Sequence, residues 1–251
     1  MRIAIFSDIH SNVDALREAI TLMKAQNPDR FVCLGDVVGY GADPNGCCEL
    51  VRPLVEICIM GNHDAAVSGR MNYDYYYDAA RNALRHHSEL VSETHRKWLA
   101  NLPYVADDPD DERICYSHGS PINPQDFDYI LSTTHADQLR THWDSLRPVT
   151  FIGHSHLTVA YEMPPPDAPE SSRELRCDTL QLRDDRKYII TVGSVGQPRD
   201  NDARGCFVLL DTDTLTVSYH RVEYDIVSAA ERIFADTELA ADFGKRLFLG
   251  I

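Results

Sequence analysis

Short apolar runs and helically spaced apolar residues take turns along the first sixty residues. Three β-prone runs, Ile3-Ala4-Ile5-Phe6, Phe31-Val32-Cys33-Leu34 and Val55-Glu56-Ile57-Cys58-Ile59-Met60, read as strands. Between the first two, Val13, Leu16, Ile20 and Met23 recur at helical spacing, with Ser11 as the expected N-cap and Asp14 three residues after it. A second helix opens at Asp43-Pro44, a cap followed by a first-turn proline. Strands alternating with helices predict a parallel sheet, and its ligand crevice lies beyond the carboxyl ends of the strands. Two further runs, Ile114-Cys115-Tyr116 and Val149-Thr150-Phe151-Ile152, add strands later in the chain.

Residues 65–103 interrupt the alternation. Tyr73, Tyr76, Tyr77, Ala80, Leu84 and Val91 follow helical spacing, and Ser92 is placed to cap a shorter helix through Leu99. This helical insert leaves from Asn62-His63, so its tyrosines either pack as core or roof part of the crevice. Arg81 and Arg85 either reach a phosphate from it or lie on a solvated face. Beyond residue 149 short strands dominate. The proline-rich Met163–Glu170 stretch cannot supply ladder donors and reads as an exposed loop. Segments 187–192, 205–210 and 215–222 are expected to form an antiparallel meander with a turn at Asp211-Thr212-Asp213, before a last helix at about 225–236. No linker divides the chain, so residues 1–251 are expected to form one domain.

Each of the five runs ends in a polar cluster where a chain would ordinarily just turn. The clusters are Asp8-Ile9-His10, Gly35-Asp36, Gly61-Asn62-His63-Asp64, Ser117-His118-Gly119 and Gly153-His154-Ser155-His156. Scattered over 150 residues, these side chains can converge on one rim of a sheet. Carboxylate oxygens and imidazole nitrogens arranged in this way bind hard and borderline metal ions. Asp8 and His10 would face one way in an extended chain. Asp36 has two oxygens with which to bridge two cations, and Asn62 offers a neutral carbonyl oxygen. Glycines 35, 61, 119 and 153 suit places where no Cβ fits.

Composition narrows the function classes. The chain is 43% hydrophobic and 25% charged, and it carries a net charge of −15, which disfavours stable binding to nucleic acid or an anionic membrane. Bound divalent ions would still make the site locally positive toward an anionic substrate. No apolar run is long enough to span a bilayer, and only four apolar residues precede Ser7-Asp8, too few for a signal-peptide core. A soluble, cytoplasmic protein is expected. The seven cysteines, several within strands, read as small buried hydrophobes in a reducing compartment, and Cys47-Cys48 lacks the Cys-x-x-Cys spacing of a redox pair.

The five clusters resemble the five motifs of the calcineurin-like metallophosphoesterase superfamily, over residues 8–156. The resemblance implies an α/β fold (α+β by some schemes) built as a two-sheet β-sandwich flanked by helices. It also implies a pair of divalent ions, Mn²⁺ foremost, with Fe, Zn²⁺, Ni²⁺ or Co²⁺ also suited to all-N/O ligation. Carried over residue by residue, Asp8, His10 and His156 would hold one ion, and Asn62, His118 and His154 the other, with Asp36 bridging. His63 matches the catalytic histidine, stabilising or protonating the leaving oxygen, with simple packing beside a ligand as the alternative. The implied reaction is hydrolysis of a phosphate ester by in-line attack of a metal-bridging hydroxide.

One motif departs from the pattern. Protein phosphatases of this superfamily carry Gly-Asp-x-x-Asp-Arg-Gly, whereas this chain reads Gly35-Asp36-Val37-Val38-Gly39-Tyr40-Gly41. The aspartate that orients the catalytic histidine is Gly39, and the arginine that forks onto phosphate is Tyr40. A neutral phenol does not replace a bidentate guanidinium. Asp64 is the nearest candidate by sequence to orient His63. Together with Gly193-Ser194-Val195-Gly196-Gln197-Pro198-Arg199-Asp200, the wider pattern resembles small bacterial-type phosphoesterases. Arg199 would then supply the missing phosphate contact, with Tyr40 beside it, or else close a turn by a salt bridge. The expected substrate is a small phosphodiester or nucleotide-type ester. A phosphomonoesterase or dinucleoside polyphosphate hydrolase is the alternative, and a non-catalytic metal-binding scaffold a more distant one.

Overall fold

A computed structural model describes all 251 residues. The chain begins with β1 (Arg2–Phe6), α1 (Val13–Ala25), β2 (Arg30–Cys33), α2 (Pro44–Val51) and β3 (Ile57–Cys58). The helical insert follows as α3 (Asn62–Val67), α4 (Asp78–Leu90) and α5 (Glu93–Ala100). Then come β4 (Val105–Asp107), β5 (Ile114–Ser117), α6 (Thr133–Leu139), β6 (Val149–Ile152), β7 (Thr158–Met163) and β8 (Arg173–Leu175). The chain closes with β9 (Thr179–Gln181), β10 (Lys187–Val192), β11 (Gly205–Asp211), β12 (Thr216–Val222), α7 (Ile226–Ala235) and α8 (Ala241–Leu247).

Two six-stranded mixed sheets form a sandwich flanked by helices, with strand orders β3-β2-β1-β11-β12-β9 and β4-β5-β6-β10-β7-β8. The first three strands pair in parallel, as the β-α-β-α-β pattern predicts. Between the sheets, Ile3, Ile5, Val32 and Val208 from one face meet Tyr116, Phe151, Tyr188 and Ile190 from the other. On the far side of the first sheet, Ala4, Phe6 and Cys33 pack under Leu16 of α1, Cys47 of α2, Leu84 of α4 and Leu99 of α5. The uninterrupted apolar runs are thus strands covered on both faces.

Local signals held unevenly. Asp43 caps α2 through its side chain with Pro44 at the first turn, and Ser92 caps α5. The cap of α1 is Asn12, whose side chain accepts from Ala15 N–H; Ser11 adopts a left-handed φ of 56° instead. The tyrosine stripe is only partly helical: α4 begins at Asp78, with Tyr77 as its cap. Arg81 pairs with Asp78 and Arg85 with Glu238, both on the surface, and neither lines the crevice. The expected meander is split. β11 and β12 form a hairpin in the first sheet, whereas β10 belongs to the second. The link between β10 and β11 therefore crosses from sheet to sheet, which lays Gly193–Asp200 over the strand ends. The helix expected at 225–236 is α7, but it is not the last: α8 follows it, a short helix with a glycine, Gly244, inside it.

Candidate metal centre and crevice

All five polar clusters leave the carboxyl ends of their strands at one rim of the sandwich. They do not stay extended. Asp8, His10, Asp36, His154 and His156 all have positive φ, between 47° and 65°. Asp8 and His10 converge because the chain curls back at each of them, and not through the alternation of a strand. The loops are held by main-chain bonds between neighbouring strand ends: Asp8 N–H donates to Gly35 O at 3.0 Å and His10 N–H to Asp36 O at 2.9 Å. Gly35 fits this packing twice over, having φ of +97° and a position where a Cβ would lie 2.4 Å from Gly61 N.

Three buried groups of donors could each hold a metal ion: Asp8, His10 and His156; His10, Asp36 and His63; and Asp36, His118 and His154, with ligand atoms within 4.8 Å of one another in each. Asp36 belongs to two of them. Asn62 Oδ1 lies 3.2 Å from His118 Nε2, so it faces the same point. The rings are aimed by the backbone. His10 Nδ1 meets Val38 O at 3.2 Å, His118 Nδ1 meets Leu34 O at 2.7 Å, and His156 Nδ1 meets Gln197 O at 2.5 Å. A carbonyl only accepts, so each Nδ1 carries a proton and each Nε2 is the nitrogen that faces the cluster. His10 Nε2 and His156 Nε2 then stand 3.1 Å apart, an approach that favours a cation between them.

Electrostatics point the same way. Burial opposes ionisation of Asp8 and Asp36, yet the imidazoles of His156 and His118 hold both below the usual carboxylate range. Burial also opposes a charge on His118, but Asp36 and Asp8 outweigh it and push that imidazole up to about 10. The cluster draws positive charge into a space closed to solvent. The donor set therefore fits divalent ions.

Asp64 does not orient His63. Its Oδ1 accepts from Val37 and Val38 N–H at 3.0 and 3.3 Å, and its Oδ2 from Gly61 N–H at 3.2 Å. It sits at the third position of α3 and ties that helix to the Asp36 loop. Burial, then Asp36, raises it to about 7. The His63 backbone N–H donates to Asp36 Oδ1 at 2.8 Å, while its Nδ1 is enclosed without a partner. Its ring lies 4.4 Å from that of Tyr40 and 4.8 Å from that of His10, and burial lowers it to about 4.

The centre opens into a crevice of about 320 Å³. His63, His154 and His156 form its floor with Asp36 and Asn62, and Tyr40, Tyr75, Tyr76, Phe127 and Tyr129 form aromatic walls. Arg199 is the one cation among the lining residues, while Asp126 and Asp128 face it from a loop after β5. Arg199 makes no turn-closing salt bridge. Its Nη2 donates to Gln197 Oε1 at 2.9 Å, its Nε is enclosed without a partner, and its guanidinium sits 5.8 Å from the Tyr40 ring centre.

Some residues at the site had no clear signal in the sequence. Tyr76 OH accepts from Asn62 Nδ2 at 2.6 Å, fixing which way the amide points. Tyr129 stacks on His154 with ring centres 3.7 Å apart. His87, from the last turn of α4, accepts the N–H of Gly39 at 3.0 Å. The tyrosine-rich stretch at 73–77 hinted at Tyr76; nothing local marks Tyr129 or His87.

Two mixed sheets flanked by helices, with clustered carboxylates and imidazoles at one rim, define a metallophosphoesterase: a hydrolase of phosphate esters whose class binds divalent metals. The chain belongs to the calcineurin-like phosphoesterase family, whose model matches residues 1–193. It is 34% identical over 249 residues to the uncharacterized protein MJ0912 of Methanocaldococcus jannaschii, across 99% of this chain and 98% of that one. The crystal structure of a metallophosphoesterase from Sphaerobacter thermophilus superposes with a TM-score of 0.82 at 33% identity, covering 100% of this chain and 99% of that one. The hypothetical protein PH1004 of Pyrococcus horikoshii shares the fold, with a TM-score of 0.78 at 20% identity over 100% of this chain and 98% of that one. No helix is long and apolar enough to cross a membrane.

Proposed function

We propose that this protein hydrolyses small phosphodiesters or nucleotide-type phosphate esters at a dinuclear metal centre. The observation that carries this reading is the place of Asp36 beneath the aromatic crevice: it shares a buried donor group with His118 and His154 and lies 3.6 Å from Nε2 of His10, which is itself grouped with Asp8 and His156. Asp8, His10 and His156 would hold one ion; Asn62, His118 and His154 the other; Asp36 both. The chemistry such ions supply, with Mn²⁺ favoured, is Lewis acidity: activation of water at neutral pH and neutralisation of phosphoryl charge.

The chain's own groups do the rest. Arg199 lines the crevice with Nη2 as its one engaged guanidinium nitrogen, on Gln197, so its planar fork is placed to meet a phosphoryl oxygen. His63, beside Asp36 and open to the crevice, stabilises charge on the leaving oxygen. Asp8 and Asp64 hold the loops in register through buried main-chain hydrogen bonds.

The lining supports a diester over more highly charged substrates. A single cation faces two carboxylates, Asp126 and Asp128, which disfavours a polyphosphate tail or a phosphopeptide. The aromatic walls suit a planar group such as a nucleobase, whose stacking contributes roughly 1–3 kcal/mol. The net charge of −15 supports a small substrate over stable binding to nucleic acid. Seven unpaired cysteines, six of them buried, suit a reducing compartment such as the cytoplasm.

The test is the metal-reconstituted protein assayed on a model diester, a monoester, a dinucleoside polyphosphate and a phosphopeptide. His63→Ala and Asp36→Asn variants run beside it. The diester is expected to turn over fastest, and both variants to lose activity. Hydrolysis of the phosphopeptide alone would sink the substrate assignment, and full activity in Asp36→Asn would sink the shared-ligand assignment.

A further inference from the structure

The loop that follows β2 presents three successive backbone N–H groups to the protein interior, at Val37, Val38 and Gly39. Asp64 accepts the first two. The third is taken by His87, a fully buried side chain on α4 whose Nδ1 accepts from Gly39 N–H at 3.0 Å. Because that nitrogen accepts, the His87 proton sits on Nε2, which is enclosed without a partner. The contact that His87 does make bears on the residue proposed above for catalysis.

Gly39 is the wall against which His63 rests. A Cβ at Gly39 would lie 2.2 Å from His63 Nδ1 and 2.9 Å from His63 Cγ, so the backbone of residue 39 is in contact with the edge of the imidazole. His63 Nδ1 has no hydrogen-bond partner, so no acceptor fixes the ring. Its placement depends on surfaces: Gly39 at one edge, the Tyr40 ring at 4.4 Å and the His10 ring at 4.8 Å. Gly39 and Tyr40 are adjacent, so the hydrogen bond to Gly39 N–H fixes two of the three surfaces at once.

We infer that His87 is a positioning residue for His63, acting through the Gly39-Tyr40 turn. It does from the helical insert what a carboxylate at position 39 does in the protein-phosphatase motif, but by holding a backbone wall and not by bonding the imidazole. The inference rests on the assignment of His63 proposed above. It gives the insert a role: α4 carries the side chain that sets the catalytic histidine.

The test is a double-mutant cycle on the metal-loaded protein, with kcat, KM and bound metal measured for each variant. His87→Leu is expected to lower kcat by roughly 10- to 100-fold, the scale of misplacing a reacting group, with metal content and KM little changed. His87→Asn, whose amide oxygen can take the place of Nδ1, is expected to restore most of the loss. In a His63→Ala background, His87→Leu is expected to have no further effect, since the group it positions is gone. An equal loss from His87→Leu in both backgrounds would overturn the inference, as would His87→Asn behaving like His87→Leu. Loss of metal from His87→Leu would overturn it too. A His63→Ala protein with parental kcat would instead overturn the assignment of His63 itself, and the positioning role with it.

Discussion

Replacing Gly39 by alanine isolates the contact that sets His63. The new Cβ would stand 2.2 Å from His63 Nδ1, where ordinary contact begins at 3.4 Å. The ring must therefore retreat by about 1.2 Å, and a displacement of that size at a reacting group costs roughly 100-fold in rate. The backbone contributes separately, because Gly39 has φ of +99° and a side chain there costs about 1–3 kcal/mol. Gly69→Ala separates the two effects. Gly69 has φ of +80° with nothing within 4 Å of an added Cβ, so it carries the strain without the collision. Both variants should lose a few degrees of Tm, at about 2–4 °C per kcal/mol for a chain of this size. Only Gly39→Ala should lose kcat, with bound metal unchanged in both. Equal kcat losses in the two variants, or parental kcat in Gly39→Ala, would refute the wall. Gly39→Asp should behave no better, since its Cβ meets the same ring before its carboxylate can bond it.

Three further outcomes follow from the same geometry. Tyr76→Phe removes the acceptor for Asn62 Nδ2 and should weaken binding of one metal by roughly 10- to 100-fold in a calorimetric titration, while the Asn62 backbone stays in place. Chelation should lower Tm reversibly, because an ion present at a thousand times its Kd stabilises the folded state by about 4 kcal/mol. An unchanged Tm would show that the carboxylate–imidazole cluster is satisfied without a cation. His87 gives a pH signature: burial, then His86, holds it down at about 3, below the ordinary imidazole value of about 6.5, with the Gly41 backbone opposing, His63 adding to the effect and Asp236 opposing it. The unfolded chain therefore binds a proton below about pH 6.5 that the folded chain refuses, so stability falls with pH by up to about 1.4 kcal/mol per unit. Urea unfolding of the parent and His87→Asn should show the gap between them narrowing, or reversing, between pH 7 and pH 5.

The sequence exposed what is written locally. Each strand of the parallel half is a short apolar run, each is followed by its polar cluster, and the proline-containing caps and breaks fall where expected. Long-range pairing was less visible. Nothing in the spacing of 187–192, 205–210 and 215–222 says that the first of these joins a different sheet, because three successive amphipathic strands satisfy either pairing. Yet that switch lays Gly193–Asp200 across the rim and brings Arg199 to the crevice. The roles of Asp64 and His87 were hidden for a related reason. Adjacency to His63 suggested that Asp64 bonds it, but at the third position of a helix a carboxylate turns back to the N-terminal N–H groups. His87 is 48 residues from Gly39 along the chain, and only the packing of the insert joins them.

Where the local rules failed, they failed at the site. Of twelve non-glycine residues with positive φ, seven are Asp8, His10, Ser11, Asp36, Tyr40, His154 and His156. Each such conformation costs about 1–3 kcal/mol and persists only where the surroundings over-determine it. Here they do. Ser11 N–H donates to Val37 O, Gly196 N–H to Asp8 O, and His154 N–H to the Asp8 carboxylate, so every loop of the rim is bonded to another. Asp8 thereby serves two ends. Its carboxylate belongs to one of the buried donor groups and also holds the His154 backbone, so that its loss would remove a candidate ligand and release the loop carrying two more. Main-chain bonds tie the rim together, which lets five separate turns present their donors to one small volume. An extended Asp-x-His, the arrangement that alternation alone suggests, would present two side chains to one face but could not close the backbone around them.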